Sequence, residues 1–327
     1  MRTSKKHLSR RDFMKNSAIG LAAFSATGML NSCSKSPKPT MPMRTLGKTG
    51  LQVSVLSFGG GSQFQKNKDG AWEALLERAV EAGINFFDTA SDYQFRGSIC
   101  SEERFGQILS RHRNKIYIST KFNSRNPAEM LQEFETSLKR MKTDYVDVLM
   151  IHSIEPSEDI AVLENGVYKE MRRLKEEGSA KYIGFSSMNS AEKSAEVLEK
   201  LEMDIVILAM NPTQYGKFTE IALPVARQKN VGVLAMKVMR DIIGKENTTA
   251  KELLRYALTQ EGVATALVGH FGRETLEENI RLVKEISDET AVGLPFDRQV
   301  LENRLARYAN PETLEWARPD YRDGMWA

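Results

Sequence analysis

Eight short apolar segments, separated by stretches of helical periodicity, limit the fold of this chain more than any other feature. Each segment is rich in Val, Ile or Phe and mostly lacks polar alternation, which is typical of a strand buried on both faces. The predicted strands are residues 53–61, 84–90, 115–121, 145–152, 181–187, 204–211, 231–237 and 263–269. Buried strands that alternate with helices favour a parallel sheet.

The segments between these strands carry apolar residues three and four positions apart. Asn126 followed by Pro127 predicts a helix N-terminus, and Gly83 and Gly178 predict C-termini. The predicted helices are residues 69–83, 101–111, 126–141, 167–178, 190–200, 222–230, 249–262 and 273–286. Eight strands and eight helices predict an α/β fold, a closed (β/α)₈ TIM barrel. A doubly wound sheet usually carries G-x-G-x-x-G after its first strand, and Gly59-Gly60-Gly61 does not supply that motif.

Additions are predicted at both ends of the barrel. Residues 44–54 predict a β-hairpin with Lys48-Thr49-Gly50 near its turn, which we expect to cap the bottom of the barrel. The residues beyond the last predicted helix form a C-terminal extension. The barrel with these additions is assigned to residues 43–327.

The first 33 residues have the composition of an export signal. Arg10 and Arg11 match the twin-arginine signal, and the apolar stretch 18–30 is too short to span a bilayer. Residues 30–33, Leu-Asn-Ser-Cys, resemble a lipoprotein cleavage box with Cys33 as the lipidated residue. Residues 34–42 predict a flexible tether. We expect a periplasmic or membrane-anchored lipoprotein, in which a lipid on Cys33 is the only link to the membrane.

The charge distribution argues against nucleic-acid binding. Residues 1–33 hold six Lys or Arg and one acid, which leaves 40 basic and 42 acidic side chains in the remainder. A body that close to neutral gains little from counterion release on a phosphate backbone. If Cys33 is lipidated, Cys100 is the only thiol left, so we expect no internal disulfide.

Four titratable side chains stand at or just past the ends of three consecutive strands: Asp88, Tyr93, Lys121 and His152. Each alone has a structural explanation, as a turn cap, a loop anchor, a solvated lysine or a hydrogen-bonded histidine. Active sites of such barrels lie at the C-terminal ends of the strands, so together the four predict a site. Lys237, at the end of the seventh strand, is the other titratable group in such a position.

The four side chains suit proton transfer to a reduced carbonyl. A phenol has a pKa near 10 and is a poor acid at neutral pH, but a nearby ammonium favours the phenolate and lowers that pKa. Asp88 would hold Lys121 in place beside Tyr93. His152 could hydrogen-bond a substrate oxygen and orient it.

The chain resembles the aldo-keto reductases over about residues 43–290. GINFFDTASDY (residues 83–93) is similar to the family segment that carries Asp88 and Tyr93, and ISTK and LMIH match its lysine and histidine strands. IGFSSMN and LVGHFGRETLEENI are similar to its cofactor-binding segments. The resemblance implies reversible hydride transfer between a nicotinamide cofactor and an aldehyde, ketone or sugar. Tyr93 would be the general acid or base.

The resemblance also implies a cofactor site without a metal. Ser186 would lie near the nicotinamide amide, and Glu278 and Asn279 near the adenine. Further cofactor contacts are expected at Gly60, Ser187, Asn211, Lys237, Gly269, His270 and Arg273. His270 and Arg273 are the only local substitutes for the Lys and Arg that commonly grip a 2′-phosphate. NADP(H) is preferred slightly over NAD(H) on family prevalence, and the sequence leaves that choice open.

The chain departs from the family pattern at three places. Ser187 stands where the family often has Asn, and Pro212 where it often has Gln. Met236 or Lys237 stands where many members place an aromatic ring on the nicotinamide. These departures concern the cofactor contacts rather than membership of the family.

Two alternatives come from other functional classes. One is an exported regulatory or ligand-binding barrel that retains a nucleotide with little turnover, although an intact set of four argues against simple loss of chemistry. The other, a metal-dependent hydrolase, needs clustered ligands, and His112, His152 and His270 lie on separate elements. The expected partner is a small carbonyl or alcohol, with a redox partner to recycle a cofactor that leaves the cytoplasm bound.

Overall fold

The computed structural model describes residues 41–95 and 97–321. The predicted signal, Cys33 and most of the predicted tether lie outside the described residues, as does Arg96. Met41 is fully buried and the main-chain N of Val55 donates to the Pro42 carbonyl at 2.9 Å. Met41 and Pro42, which the sequence assigned to the tether, therefore belong to the folded unit.

Ten strands are present in the described residues, and eight of them close into a barrel. The strands are β1 (Met43–Thr45), β2 (Gln52–Ser54), β3 (Leu56–Gly59), β4 (Phe86–Asp88), β5 (Tyr117–Phe122), β6 (Val146–Ile151), β7 (Ala180–Ser187), β8 (Ile205–Ala209), β9 (Gly232–Met236) and β10 (Val263–Val268). Neighbours from β3 to β10 pair in parallel in chain order, and β10 returns to pair with β3. The predicted (β/α)₈ barrel is confirmed.

Helices surround the barrel and follow its strands. They are α1 (Ser62–Gln65), α2 (Ala71–Glu81), α3 (Ser101–Ile108), α4 (Pro127–Met141), α5 (Ile160–Leu163), α6 (Lys169–Glu177), α7 (Ala191–Lys200), α8 (Ala222–Gln228), α9 (Ala250–Leu258), α10 (Gly272–Ala291) and α11 (Arg298–Leu305). Across residues 41–95 and 97–321, no helix is long and apolar enough to cross a membrane.

Local signals set the ends of the helices as expected. The Asn126 side chain accepts from the main-chain N–H groups of Ala128 and Glu129, with Pro127 in the first turn of α4. Gly178 ends α6 in the left-handed conformation at φ 81°, which glycine adopts without steric penalty. Three helices were not predicted: α1 and α5, which are barely one turn long, and α11 in the C-terminal extension.

The N-terminal hairpin caps the bottom of the barrel, as predicted. β1 pairs antiparallel with β2, and Arg44 Nη1 donates to the carbonyls of Leu258 and Val263 at 2.7 and 3.0 Å. The main-chain N of Lys48 donates to the Asn230 carbonyl at 2.6 Å. These acceptors lie at the N-terminal ends of β9 and β10, which leaves the opposite end of the barrel open for a site.

The barrel interior is closely packed. In β7, a Cβ on Gly184 would lie 2.1 Å from the Ile205 carbonyl oxygen, so only glycine fits where β7 meets β8.

In the C-terminal extension, Trp316 is buried and its ring meets that of Tyr215 edge-on at 5.5 Å. The extension is therefore part of the fold up to Tyr321, and Trp326 lies outside the described residues.

Candidate active site

The structure brings Asp88, Tyr93, Lys121 and His152 together at the C-terminal end of the barrel. Asp88 is the last residue of β4, Lys121 lies near the end of β5, and His152 directly follows β6. These strands are neighbours in the sheet, and Tyr93 lies in the loop after β4. Each of the four side chains is at most 4% exposed.

Asp88 and Lys121 form a buried ion pair. Lys121 Nζ donates to Asp88 Oδ2 at 2.6 Å and to the Thr89 carbonyl at 2.7 Å. The other carboxylate oxygen, Oδ1, accepts from Ser119 Oγ at 2.6 Å. Both carboxylate oxygens are thus hydrogen-bonded, which is what a buried charge requires. The pair fixes the ammonium in one place.

Tyr93 lies close to both this ion pair and the histidine. Lys121 Nζ is 5.0 Å from the centroid of the Tyr93 ring, and the His152 ring is 5.6 Å away at an interplanar angle of 70°. A Cβ on Gly61 would lie 3.5 Å from the tyrosine ring, so the glycine keeps one side of the ring open. A positive charge this close to a phenol stabilises its ionised form.

The His152 ring is held through its Nδ1 atom. Nδ1 is 3.1 Å from Asn123 Oδ1 and 3.5 Å from Asp92 Oδ1. The Arg125 guanidinium donates to the carbonyls of His152 and Ser153 at 3.1 and 3.0 Å, and Arg125 also pairs with Glu158. The other ring nitrogen, Nε2, has no hydrogen-bond partner among the described residues. It is the nitrogen left for a ligand.

Asp88, Tyr93 and Lys121 line a cavity of about 420 Å³ that reaches α10, and His152 lies behind this lining. Its walls come from the loops that follow β3, β9 and β10. The residues that line it include Gly59, Gly61, Ser62, Asp88, Tyr93, Lys121, Ser153, Ser186, Met236, Lys237, Arg240, Asp241, Gly269, Phe271, Thr275, Glu278 and Asn279. Burial raises the pKa of the Asp241 carboxyl, and the Arg240 charge opposes that shift.

Half of the predicted cofactor residues line this cavity. Ser186 lies at the end of β7, and Lys237 and Gly269 directly follow β9 and β10. Glu278 and Asn279 lie on α10 and also line the cavity. The structure therefore brings these five predicted residues to the wall of one cavity.

Three predicted cofactor contacts, Gly60, Ser187 and His270, lie outside the cavity lining. Gly60 donates its N–H to the Asp88 carbonyl, and a Cβ there would lie 2.3 Å from Ser101 Oγ, so it faces away from the cavity that Gly59 and Gly61 line. Ser187 is fully buried and donates to the Ser190 carbonyl. His270 is fully buried, with its ring 5.3 Å from that of Phe58, and burial lowers its pKa to about 3.

Two more predicted contacts lie outside the cavity lining. Asn211 Oδ1 accepts from the main-chain N and the hydroxyl of Thr213, and its Nδ2 donates to the Lys237 carbonyl at 3.4 Å. Asn211 thus braces the loop that carries Lys237. The Arg273 side chain is 70% exposed and contacts Glu277 at 3.4 Å.

The cavity lining combines glycines and cationic side chains, which would suit an anionic dinucleotide. A Cβ on Gly269 would approach Gln63 Cβ to 3.3 Å and the Gly59 carbonyl to 3.4 Å, so glycines keep this wall open. Lys237 and Arg240 contribute two cationic side chains to the lining, and Ser186, Glu278 and Asn279 contribute polar groups. In the described part of the chain, no three His, Cys, Asp or Glu side chains cluster as metal ligands.

Several site residues escaped the sequence analysis. Ser119 and Asn123 alternate with Lys121 along β5 and its end, so the two-residue period of a strand would have placed them on the same side. Asp92 directly precedes Tyr93, so the sequence places its carboxylate beside the predicted site, as it does that of Asp88. Arg240 and Asp241 lie in the loop after β9, where no short motif marks them.

Comparisons with known proteins agree with this geometry. The model of the aldo/keto reductase family matches residues 55–251. L-glyceraldehyde 3-phosphate reductase of Escherichia coli O157:H7 is 31% identical, over 81% of this chain and 94% of its own. L-galactose dehydrogenase of Arabidopsis thaliana is 27% identical, over 84% of this chain and 96% of its own.

A solved structure is also similar. A Pseudomonas aeruginosa protein described as an aldo-keto reductase superposes with a TM-score of 0.64 at 28% identity. The match covers 75% of this chain and 96% of that protein.

Proposed function

The chain belongs to the aldo/keto reductase family, and on that basis we propose that it is an NAD(P)(H)-dependent oxidoreductase. It would interconvert the carbonyl of an aldehyde, ketone or sugar with the corresponding alcohol. The observation that supports this best is the buried Asp88–Lys121 pair beside the Tyr93 ring, with the His152 ring 5.6 Å from that of Tyr93.

Tyr93 is the proposed general acid in reduction and the general base in oxidation. In reduction its hydroxyl hydrogen passes to the oxygen of the reduced carbonyl. The Lys121 ammonium stabilises the phenolate that remains, because it is held close to the ring by Asp88 and the Thr89 carbonyl. His152 orients the carbonyl oxygen. A bound nicotinamide supplies or accepts the hydride.

Five residues are proposed to hold the nicotinamide cofactor: Ser186, Lys237, Gly269, Glu278 and Asn279. Their support is their position on the walls of the cavity that contains Tyr93. NADP(H) is proposed in preference to NAD(H), and this preference rests on its prevalence in the family.

Export by the twin-arginine route is proposed from Arg10 and Arg11, with a lipid anchor at Cys33. The barrel would fold around its cofactor in the cytoplasm and recycle it outside through a second substrate or a redox partner. Cell fractionation tests this: replacing both arginines with lysine should retain the protein in the cytoplasm. Cys33→Ser should release the exported form from the membrane. Wild-type protein found only in the cytoplasm would contradict the proposal.

Nucleotide binding and turnover test the function. Purified full-length protein is titrated with NADPH and NADH, and then supplied with small aldehydes, ketones and sugars while cofactor oxidation is followed. Glu278→Gln, which alters the cavity wall, should weaken binding by about ten-fold through a lost charge-assisted contact. Glu274→Gln, on the exposed face of the same helix, is the matched control and should bind normally.

Each outcome separates the alternatives. Binding with turnover supports the oxidoreductase. Binding without turnover of any carbonyl would favour a regulatory barrel instead. A protein that binds neither nucleotide would contradict the assignment of the cavity.

A further inference from the structure

Phe271 is an exposed aromatic side chain on the wall of the cavity. It directly precedes α10 and is 55% exposed, whereas its neighbour His270 is fully buried. Ile243, in the loop after β9, is also 55% exposed and lines the same cavity. Single exposed apolar residues are normal on a protein surface, but apolar side chains that line a concave site are typical of ligand contacts. Phe271 and Ile243 therefore offer apolar surface to a ligand.

The main chain holds Phe271 in this position from both sides. The buried Asn67, which follows α1, donates from Nδ2 to the His270 carbonyl at 2.9 Å. Its Oδ1 accepts from the Gly272 N–H at 2.8 Å. The Phe271 carbonyl in turn accepts from Thr275 Oγ1 at 2.8 Å, which closes the first turn of α10. The exposure of the Phe271 ring is thus built into the fold by specific hydrogen bonds.

Polar groups line the cavity two turns further along α10. Asn279 is only 6% exposed, and its side chain makes no hydrogen bond to any residue that the structure describes. The Glu278 carboxylate also lines the cavity and has no hydrogen bond or ion pair within residues 41–95 and 97–321. A buried amide without a partner is unfavourable, and a hydrogen bond to a ligand removes that penalty. This wall is therefore suited to a ligand with both apolar and polar parts.

An adenosine has both. The two faces of its base are flat and can stack on an aromatic side chain, whatever hydrogen bonds the base makes at its edge. Its amino group and ribose hydroxyls can donate to a carboxylate or an amide oxygen. The proposed hydride transfer requires the nicotinamide beside Tyr93, which leaves the adenosine half of the cofactor for the wall formed by α10.

We propose, resting on the function proposed above, that the adenine ring of the cofactor stacks on Phe271 and contacts Ile243. Glu278 and Asn279 then hydrogen-bond the polar atoms of the same adenosine. Phe271 and Ile243 are binding residues, since they touch the cofactor away from the reacting atoms, and they act on its affinity.

Calorimetric titration of the full-length protein measures this contact. The ligands are NADPH, NADH and ADP-ribose, which lacks the nicotinamide. Phe271→Ala should weaken the binding of ADP-ribose and of the dinucleotide by on the order of 10-fold, the scale of a base stacked on an aromatic ring. Phe271→Tyr keeps a ring and should bind as the wild type does. Equal affinities in the wild type and Phe271→Ala would overturn the proposal.

A matched control shows that the effect belongs to the cavity. Val292 is 74% exposed and lies outside the cavity lining, so Val292→Ala removes apolar surface without touching the proposed site. It should leave the affinity for all three nucleotides unchanged. A loss in Val292→Ala equal to that in Phe271→Ala would contradict a specific contact at Phe271.

An indole at the same position reports the stacking itself. In Phe271→Trp, ADP-ribose should quench the added fluorescence, whereas nicotinamide mononucleotide, which lacks the adenosine, should not. Val292→Trp adds an exposed indole outside the cavity lining and corrects for the native tryptophans. Quenching of Phe271→Trp by nicotinamide mononucleotide alone would show that the other half of the cofactor lies on this wall. That result, or no added quenching by either ligand, would overturn the proposal.

Failure of the proposed function gives a different result. Nucleotide binding that depends on Phe271, without turnover of any carbonyl, would refute the oxidoreductase and leave the adenine contact standing. A wild-type protein that binds none of the three nucleotides would refute both.

Discussion

Lys121 Nζ lies 2.6 Å from Asp88 Oδ2, and both side chains are almost completely buried. The two charges compensate each other inside the protein, and their hydrogen bonds to Ser119 and Thr89 leave no carboxylate oxygen unpaired. The ion pair is thus part of the barrel as well as of the proposed site. The free energy of unfolding therefore reports on the pair directly.

Removal of one member of this pair should be severe. Lys121→Met leaves the Asp88 charge buried without its partner, and we expect the free energy of unfolding to fall by about 3–5 kcal/mol. Adding Asp88→Asn to the same chain should recover much of that loss. Urea denaturation measures both. Exposed Lys115→Met is the control, with a change of less than about 0.5 kcal/mol. A single variant as stable as the wild type would contradict the buried-pair geometry.

His270 should make the protein sensitive to mild acid. Burial holds its pKa near about 3, while an unfolded histidine binds a proton near pH 6.5, so between these values only the unfolded state is protonated. Stability therefore falls as pH drops below about 6.5, by about 2 kcal/mol at pH 5 from this residue. Neither ring nitrogen has a partner, so His270→Leu should remove the dependence with little loss at pH 7.

The comparison requires a second histidine variant. His112 lies near the surface against Glu77, and His112→Gln should keep most of the acid sensitivity. Urea unfolding at pH 7 and pH 5 gives the difference for each protein. An equal pH dependence in the wild type and in His270→Leu would show that the ring is not buried as described.

Cys100 should be unreactive in the folded protein. Burial raises the pKa of its thiol to about 11, and only the thiolate attacks a disulfide reagent. In a Cys33→Ser background at pH 8, we expect native Cys100 to react on the order of 100-fold more slowly than the unfolded chain, from the difference in thiolate fraction alone. Labelling with an aromatic disulfide, with and without urea, measures the ratio. Equal rates would contradict the burial of this thiol.

The barrel could be predicted because strands buried on both faces leave a simple apolar pattern. The four site residues could be predicted for a related reason, since a titratable group directly after such a strand is conspicuous. Short helices such as α1 and α5 leave no such trace, because four residues are too few to show a period. Met41 is buried, and the adjacent Pro42 carbonyl accepts a hydrogen bond from Val55. Such tertiary contacts leave no local sequence pattern.

Cofactor contacts were harder to predict, because resemblance locates a segment but not the direction of each side chain. Gly269 and His270 are adjacent in LVGHF; the first lines the cavity and the second packs in the core against Phe58. Gly60 and Ser187 likewise lie outside the cavity lining, whereas their neighbours Gly61 and Ser186 belong to it.

Turnover by Tyr93→Phe, measured beside Tyr215→Phe, tests the central claim most directly. Both variants lose one hydroxyl, but that of Tyr215 contacts the Ala317 carbonyl in the C-terminal extension. We predict that Tyr93→Phe binds NADPH normally and loses at least about 100-fold in kcat for carbonyl reduction, the scale of general acid catalysis. Tyr215→Phe should keep its kcat. Wild-type kcat in Tyr93→Phe would contradict the proposed role of Tyr93 and the function built on it.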